Sequence, residues 1–246
     1  MKNKTDNIIK DLENKIAQGN LEAMFDYAEI YQYNRQNEIT DEIAAKMVNY
    51  YEICIEDGNL NAALNLGSMY YIGEIIPRDY KKAFKYYKLA TESEDDEIST
   101  DAWCCLGYCY YYGRDIPVDD EQAFNCYMHG VLENDANCLY KIGDMYRYGR
   151  FVKKDEKLAF SFYKRAKNFV SKYNYSYPDV CRRLGECKLY GLGTEKDIIE
   201  AVNYLSKAEI YTYKKIKQKD PFAASLLPEI QKMLAEAKKL LEEDCT

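Results

Sequence analysis

The chain has 246 residues, of which 47% are hydrophobic and 30% charged, a balance that excludes a disordered chain and fits a water-soluble one. Its net charge of -7 and sequence pI near 5.1 argue against general nucleic-acid binding, which needs a basic face to release counterions. No run approaches the roughly 18 consecutive apolar residues of a membrane span, and the N-terminus leads into an amphipathic segment instead of a signal core. A cytoplasmic protein with no membrane insertion and no nucleic-acid partner is expected.

Residues 5–18 begin the helical pattern. Thr5 or Asp6 is the expected N-cap, and Ile8, Ile9, Leu12 and Ile16 recur on one face, which predicts an N-terminal capping helix. Gly19-Asn20-Leu21-Glu22-Ala23 then returns almost letter for letter as Gly58-Asn59-Leu60-Asn61-Ala62. Residues 19–54 therefore read as a degenerate first repeat, with Ala28 at a position that later copies give to glycine. Its loop before Lys46-Met47-Val48-Asn49-Tyr50-Tyr51 is also longer than in those copies.

The pattern then runs complete four times. Gly67, Gly107, Gly143 and Gly185 are each followed by a glycine six residues on, an aspartate at twelve, an alanine at sixteen and a small residue at twenty-three. Around this anchor, a helix A carries apolar residues at -5, -1, +2 and +3, such as Ala62, Leu66, Met69 and Tyr70, on one face. Gly73, Gly113, Gly149 and Gly191 stand where a left-handed residue closes a helix, and Pro77 and Pro117 discourage continuation. Asp79, Asp119, Asp155 and Asp197 then fit the N-cap of a helix B. Asp119 with Gln122, and Asp197 with Glu200, have the spacing of a capping box. The anchor glycine lies mid-helix, where it costs about 1 kcal/mol against alanine. Its repetition predicts a close approach by helix B at the small +16 residue.

Two insertions follow B helices. Glu92, Glu94, Asp95, Asp96 and Glu97 read as a solvated loop or helix extension rather than a metal site. Residues 168–178 carry Phe169, Tyr173, Tyr175 and Tyr177, which are expected to pack on their own repeat rather than to present a contact surface. Beyond Ala208, residues 210–219 continue as a basic helix whose Lys214, Lys215, Lys217 and Lys219 are expected to be solvated. Asp220-Pro221 marks a break. Pro228 is then placed to open a last helix over residues 229–244, with Ile230, Met233, Leu234, Ala237, Leu240 and Leu241 on one stripe and charge elsewhere. A polar outer face is what a terminal capping helix needs.

The motif Leu-Gly-x-x-Tyr-x-x-Gly, then Asp-x-x-x-Ala-x-x-x-Tyr, then a small residue, resembles the Sel1-like repeat, a relative of the tetratricopeptide repeat. It is carried by residues 66–90, 106–130, 142–166 and 184–208, with the degenerate copy at 19–54. The resemblance implies an all-α fold, a right-handed α/α superhelical solenoid of helix pairs capped at both ends. It would form one domain over residues 1–246, with repeats at 58–90, 98–130, 134–166 and 176–208, and an extension with a capping helix at 209–246. Some secreted members of that family carry a disulfide within each repeat, but the expected paired positions are not both cysteine here. Most of the nine cysteines, the last being Cys245, are expected to act as small apolar residues; Cys109 and Cys187 stand where Met69 and Met145 stand.

By analogy with tetratricopeptide geometry, positions -6, -3, +1 and +4 would face a concave groove lined by the A helices. The partner-binding residues expected there are Tyr71, Asp101, Cys104, Tyr108, Tyr111, Asn137, Tyr140, Asp144, Arg147 and Arg182. Tyr71, Tyr108, Tyr111 and Tyr140 would make an aromatic strip, flanked by Asp101, Asp144 and Arg147; alternatively, those rings fill the tight inner curve. Tyrosine and arginine are frequent interface anchors, and a groove of this kind suits an extended peptide or a helix. The expected function is a non-enzymatic scaffold for a protein or peptide partner, with a small molecule such as a cell-wall or nucleotide fragment as the alternative occupant. A hydrolase would need a nucleophile, a base and an orienting group within reach. The only histidine, His129, lies one helical turn from Cys126 with nothing to mark the pair as catalytic. With no CxxC and a single histidine, no metal and no cofactor are expected.

Overall fold

The computed structural model describes residues 2–218, 220 and 222–243, with side chains from residue 6 onward; Lys219, Pro221, Asp244 and Cys245 lie outside the described residues. Within that span the regular structure is entirely helical, so the fold is all-α. The helices gather into two compact units, Met1–Val118 and Asp119–Thr246.

The first unit holds α1 (Lys2–Ile16), α2 (Leu21–Asn34), a short 3₁₀ turn (Gln36–Glu38), α3 (Asp41–Glu56), α4 (Leu60–Ile72), α5 (Tyr80–Ala90) and α6 (Asp96–Tyr112). Each α-helix packs on the next, and α4 also touches α6. The chain turns are set by side-chain caps: Asn20, Thr40, Asn59 and Asp79 accept from the amides of Ala23, Ile43, Ala62 and Lys82. Thr5 and Asp6, expected as caps, fall instead inside α1, which starts at Lys2. The acidic insertion starts a helix: Asp95 accepts from Glu97 and Ile98, and Asp96 and Glu97 occupy the first turn. There the carboxylates face the positive end of the helix dipole.

The second unit holds α7 (Asp120–Leu132), α8 (Ala136–Tyr148), α9 (Glu156–Phe169), α10 (Tyr177–Tyr190), α11 (Ile198–Lys217) and α12 (Ala223–Glu243). Consecutive helices pack on one another, and α10 also touches α12. Asp155 and Asp197 cap α9 and α11 as expected. The capping box at Asp197 does not close, because its amide donates to the Lys188 carbonyl and the Glu200 carboxylate pairs with Lys188 Nζ at 2.7 Å. At the C-terminal end, Leu189, Leu205, Met233, Leu234 and Ala237 form one apolar cluster that seats α12.

Three expectations for this unit need correction. Pro228 lies inside α12 rather than opening it. The helix begins at Ala223 because Asp220 Oδ1 accepts from the amides of Phe222 and Ala223, so the proline forfeits only one backbone bond near the start. Lys215 is not solvated: it is buried, with its ammonium 3.3 Å from both Asp179 and Asp220. Of the insertion's rings, Tyr177 is buried and Tyr175 rests on the Lys215 ammonium with most of its surface open, whereas Phe169 and Tyr173 are exposed.

The anchor glycines let the helix B backbone come close at the +16 alanine, as expected, and they also admit a larger side chain. A Cβ on Gly143 would sit 2.6 Å from Tyr163 Cε1, nearer than the Ala159 carbonyl oxygen at 3.2 Å. Gly67 stands in the same relation to Tyr87, at 2.8 Å. In these two copies a buried tyrosine of helix B, twenty residues on, therefore packs against the bare backbone of helix A; at Gly185 Leu205 takes that place.

Candidate partner-binding faces

In the first unit, α4 and α6 carry the expected aromatic positions. Tyr71 is half-buried and meets Tyr80 edge-on at 5.3 Å. The guanidinium of Arg114 lies over the rings of Tyr71, Tyr80 and Tyr112, 6.0, 5.1 and 5.2 Å from their centroids. Tyr112 in turn stacks on Tyr108 at 6.1 Å with an interplanar angle of 10°. Arg114 thus joins Tyr71 to the Tyr108–Tyr112 pair, a grouping in which Tyr108 is half-buried and Tyr112 exposed. Burial raises the Tyr71 hydroxyl above its ordinary pKa, so it stays a neutral donor at physiological pH. Asp101 is exposed at the start of the same face, whereas Cys104 and Tyr111 are buried.

A second polar group in this unit joins α2, α3 and α4. Tyr51 donates to Gln32 Oε1 at 2.8 Å, Gln32 Nε2 donates to the Asn65 carbonyl, and the Tyr33 hydroxyl donates to Asn65 Oδ1 at 2.9 Å.

In the second unit the corresponding face is tied up by ion pairs. Asp144 is 1% exposed and accepts from Arg183 Nε at 2.6 Å, Arg183 Nη2 at 2.7 Å and the Tyr163 hydroxyl at 2.8 Å. Burial alone would raise the Asp144 pKa; the charge and hydrogen bonds of Arg183, with the Lys141 charge and the Tyr163 hydroxyl, together outweigh it and hold the carboxyl below its usual range. One helical turn on, Arg147 makes a bidentate pair with Glu186. Burial opposes the charge of Arg147, yet the Glu186 carboxylate more than compensates and raises the guanidinium above its ordinary pKa. Arg182 is buried and reaches Glu229 at 3.1 Å. Tyr140 is buried beneath Arg183, which lies 5.8 Å from its ring centroid, and Asn137 is half-buried.

Of the residues expected to contact a partner, five are therefore interior: Cys104, Tyr111, Tyr140, Asp144 and Arg182. The four-position template assigned them to a face but took no account of neighbouring helices that reach over them. Tyr71, Asp101, Tyr108, Asn137 and Arg147 keep accessible surface. The template also missed a column. Position +5 from the anchor is Tyr33, Ile72, Tyr112, Tyr148 and Tyr190, and all four tyrosines are exposed, at 56%, 46%, 54% and 39%. The signal was in the repeat alignment, as a tyrosine recurring just before the helix-closing glycine. Cys126 and His129 occupy contrasting environments on α7, the thiol buried and the imidazole exposed.

The comparisons with known proteins agree with this architecture. The family profile of the Sel1 repeat matches residues 60–95, 106–127, 136–168 and 178–209. Among solved structures, a Sel1 repeat protein from Oxalobacter formigenes is similar with a TM-score of 0.61 at 22% identity, over 81% of this chain and 76% of that one. A second is c5321, titled a protective antigen present in uropathogenic Escherichia coli strains displaying an SLR fold. It matches with a TM-score of 0.57 at 20% identity, over 93% of this chain and 56% of its own. No curated protein sequence matches this chain. At these identities the structural likenesses concern the fold alone.

Proposed function

This chain belongs to the Sel1 repeat family, and from that premise we propose that it is a non-enzymatic scaffold that holds a peptide or partner domain against its A-helix faces. The observation that carries the reading is the exposed tyrosine at +5 within each unit, Tyr33 and Tyr112 in the first and Tyr148 and Tyr190 in the second, with the Tyr108–Tyr112 stack the best organised. Rings fixed by their neighbours lose little freedom on binding, and tyrosine offers an apolar body with a hydroxyl at its edge. The Arg114 guanidinium over Tyr112, and the exposed Asp101 carboxylate two turns before Tyr108 on α6, supply opposite charges for polar contacts. The contact residues we assign are Tyr71, Asp101, Tyr108 and Tyr112 in the first unit, and Asn137, Tyr148 and Tyr190 in the second. The interior residues Asp144, Tyr140 and Arg182 hold the second face in place.

Affinity capture from the native host with the intact chain as bait, followed by titration of the captured protein, tests this. Tyr108→Ser with Tyr112→Ser should weaken capture by about tenfold or more, the scale of one lost interface anchor, with helical circular dichroism unchanged. Undiminished binding by that double variant would reject the face. Tyr111 is left alone because it is 8% exposed, and its loss would confound binding with stability.

A further inference from the structure

The aromatic insertion and the far end of α11 form a surface that the A-helix faces do not use. Tyr173 is 86% exposed, the most open large side chain of the insertion, and Phe169 and Tyr175 are exposed beside it in sequence. The rings are interleaved with lysines. Lys172 lies 5.1 Å from the Tyr173 centroid, Lys167 5.1 Å from Tyr177, and Lys214 4.1 Å from Tyr211. Tyr177 and Tyr211 meet edge-on at 4.8 Å, so Lys167, the two rings and Lys214 are continuous across α9, α10 and α11. Lys215, 3.6 Å from the Tyr175 ring centroid, ties the insertion to α11.

The charge there is unbalanced. The nearby carboxylates Asp179 and Asp220 are both engaged by Lys215. Among the described residues, Lys167, Lys172 and Lys214 lie over rings and make no carboxylate pair. Those three lysines leave a local positive charge within a protein of net charge -7. An ammonium resting on a ring face turns part of its N–H donors toward the ring and leaves the rest for a carboxylate, and the open rings add apolar contact.

We propose that this Lys–Tyr surface docks an acidic, aromatic-bearing segment of another protein. The chemistry favours a peptide over a nucleic acid. Single-strand binding uses successive free ring faces, whereas Tyr177 is buried and Tyr211 is capped by Lys214. A net charge of -7 works against an extended anionic membrane, which faces much of the chain, whereas a short segment meets only the lysines within a Debye length of about 8–10 Å.

The test is fluorescence anisotropy of a labelled peptide rich in Glu, Asp and Phe, titrated with the intact chain. Lys167→Glu with Lys172→Glu and Lys214→Glu should weaken binding by about tenfold or more, and added salt should weaken the unmodified complex. Phe169→Ser with Tyr173→Ser should weaken it by about threefold. Lys81→Glu with Lys85→Glu and Lys88→Glu on α5 makes the same change in net charge elsewhere and should leave affinity unchanged. Tyr108→Ser with Tyr112→Ser should also leave it unchanged, which keeps this surface and the A-helix face separately testable. Equal losses in the two lysine variants would overturn the proposal. So would tighter binding of single-stranded RNA or phosphatidylserine vesicles by the same lysines, or self-association through them.

Discussion

Removing the Asp144 carboxylate offers the sharpest check on how the second unit is held together. The group is 1% exposed and takes three hydrogen bonds, two of them from a guanidinium that is itself 8% exposed. Asp144→Ala would strand that cation in the interior, a loss of about 3–5 kcal/mol. It would also leave the Tyr163 hydroxyl without its acceptor, by itself about 1–3 kcal/mol. The two effects share one site and do not add, so about 4 kcal/mol is expected, a large part of the roughly 5–15 kcal/mol that stabilises a domain. Urea unfolding followed by circular dichroism at neutral pH measures it. Arg183→Met should cost a similar amount. The double replacement Asp144→Leu with Arg183→Met, which removes both charges and keeps apolar volume, should retain only the cost of the unpartnered Tyr163 hydroxyl, about 1–3 kcal/mol below the parent. If the double variant instead loses the sum of the two singles, the pair is not coupled and the reasoning fails.

The same pair predicts a pH dependence. Asp144 is held below its usual carboxyl range by Arg183, with Lys141 and Tyr163, against the opposing effect of burial. A depressed folded-state pKa contributes stability that is complete above the unfolded value, about 3.9 for aspartate. That contribution is lost as pH falls through the lower folded value. Parent stability should therefore fall below about pH 4 more steeply than that of the Asp144→Leu with Arg183→Met variant, in urea titrations at stepped pH.

Further outcomes follow from local geometry. Gly143→Ala forces a Cβ to within 2.6 Å of the Tyr163 ring and should cost about 1–3 kcal/mol. Gly149→Ala meets only an ordinary 3.4 Å contact and should cost about 1 kcal/mol, for its left-handed backbone at φ 67°; thermal melts of the two variants give the order. Burial pushes the thiols of Cys109 and Cys187 up to about 12, and that of Cys181 to about 11. These three should therefore resist iodoacetamide at neutral pH in the folded protein and react once it is unfolded, as read by mass spectrometry.

Most of the fold was legible because its punctuation is local. Asp155 caps α9 and Gly149 closes α8 through contacts with residues a few places away, and spacing along the chain reveals such contacts directly. Pro228 misled for a related reason: the cap that starts α12 is Asp220, eight residues upstream, and a carboxylate with two amides in reach outweighs one forfeited backbone bond. The insertion at residues 168–178 was harder, since aromatic composition is the same for a ring that packs, such as Tyr177, and one that stands in water, such as Tyr173.

The candidate faces were read less well because a side chain there is governed by the adjoining repeat. Position +1 from the anchor is Ser68, Asp144 and Glu186 in three copies, and each meets a different fate. Ser68 lies near the Tyr87 hydroxyl, Asp144 sinks under Arg183 and Tyr163, and Glu186 grips Arg147. The two ion pairs obey one rule: each joins residues 39 apart, one from α8 and one from α10. Reading opposite charges one repeat apart, rather than one position at a time, would have found both. It would also have shown which column is left over. Once +1 and +4 are committed to neighbouring helices in the second unit, the exposed tyrosines at +5 are what its A helices still present, and a partner reading that unit would meet Tyr148 and Tyr190 before any charge behind them.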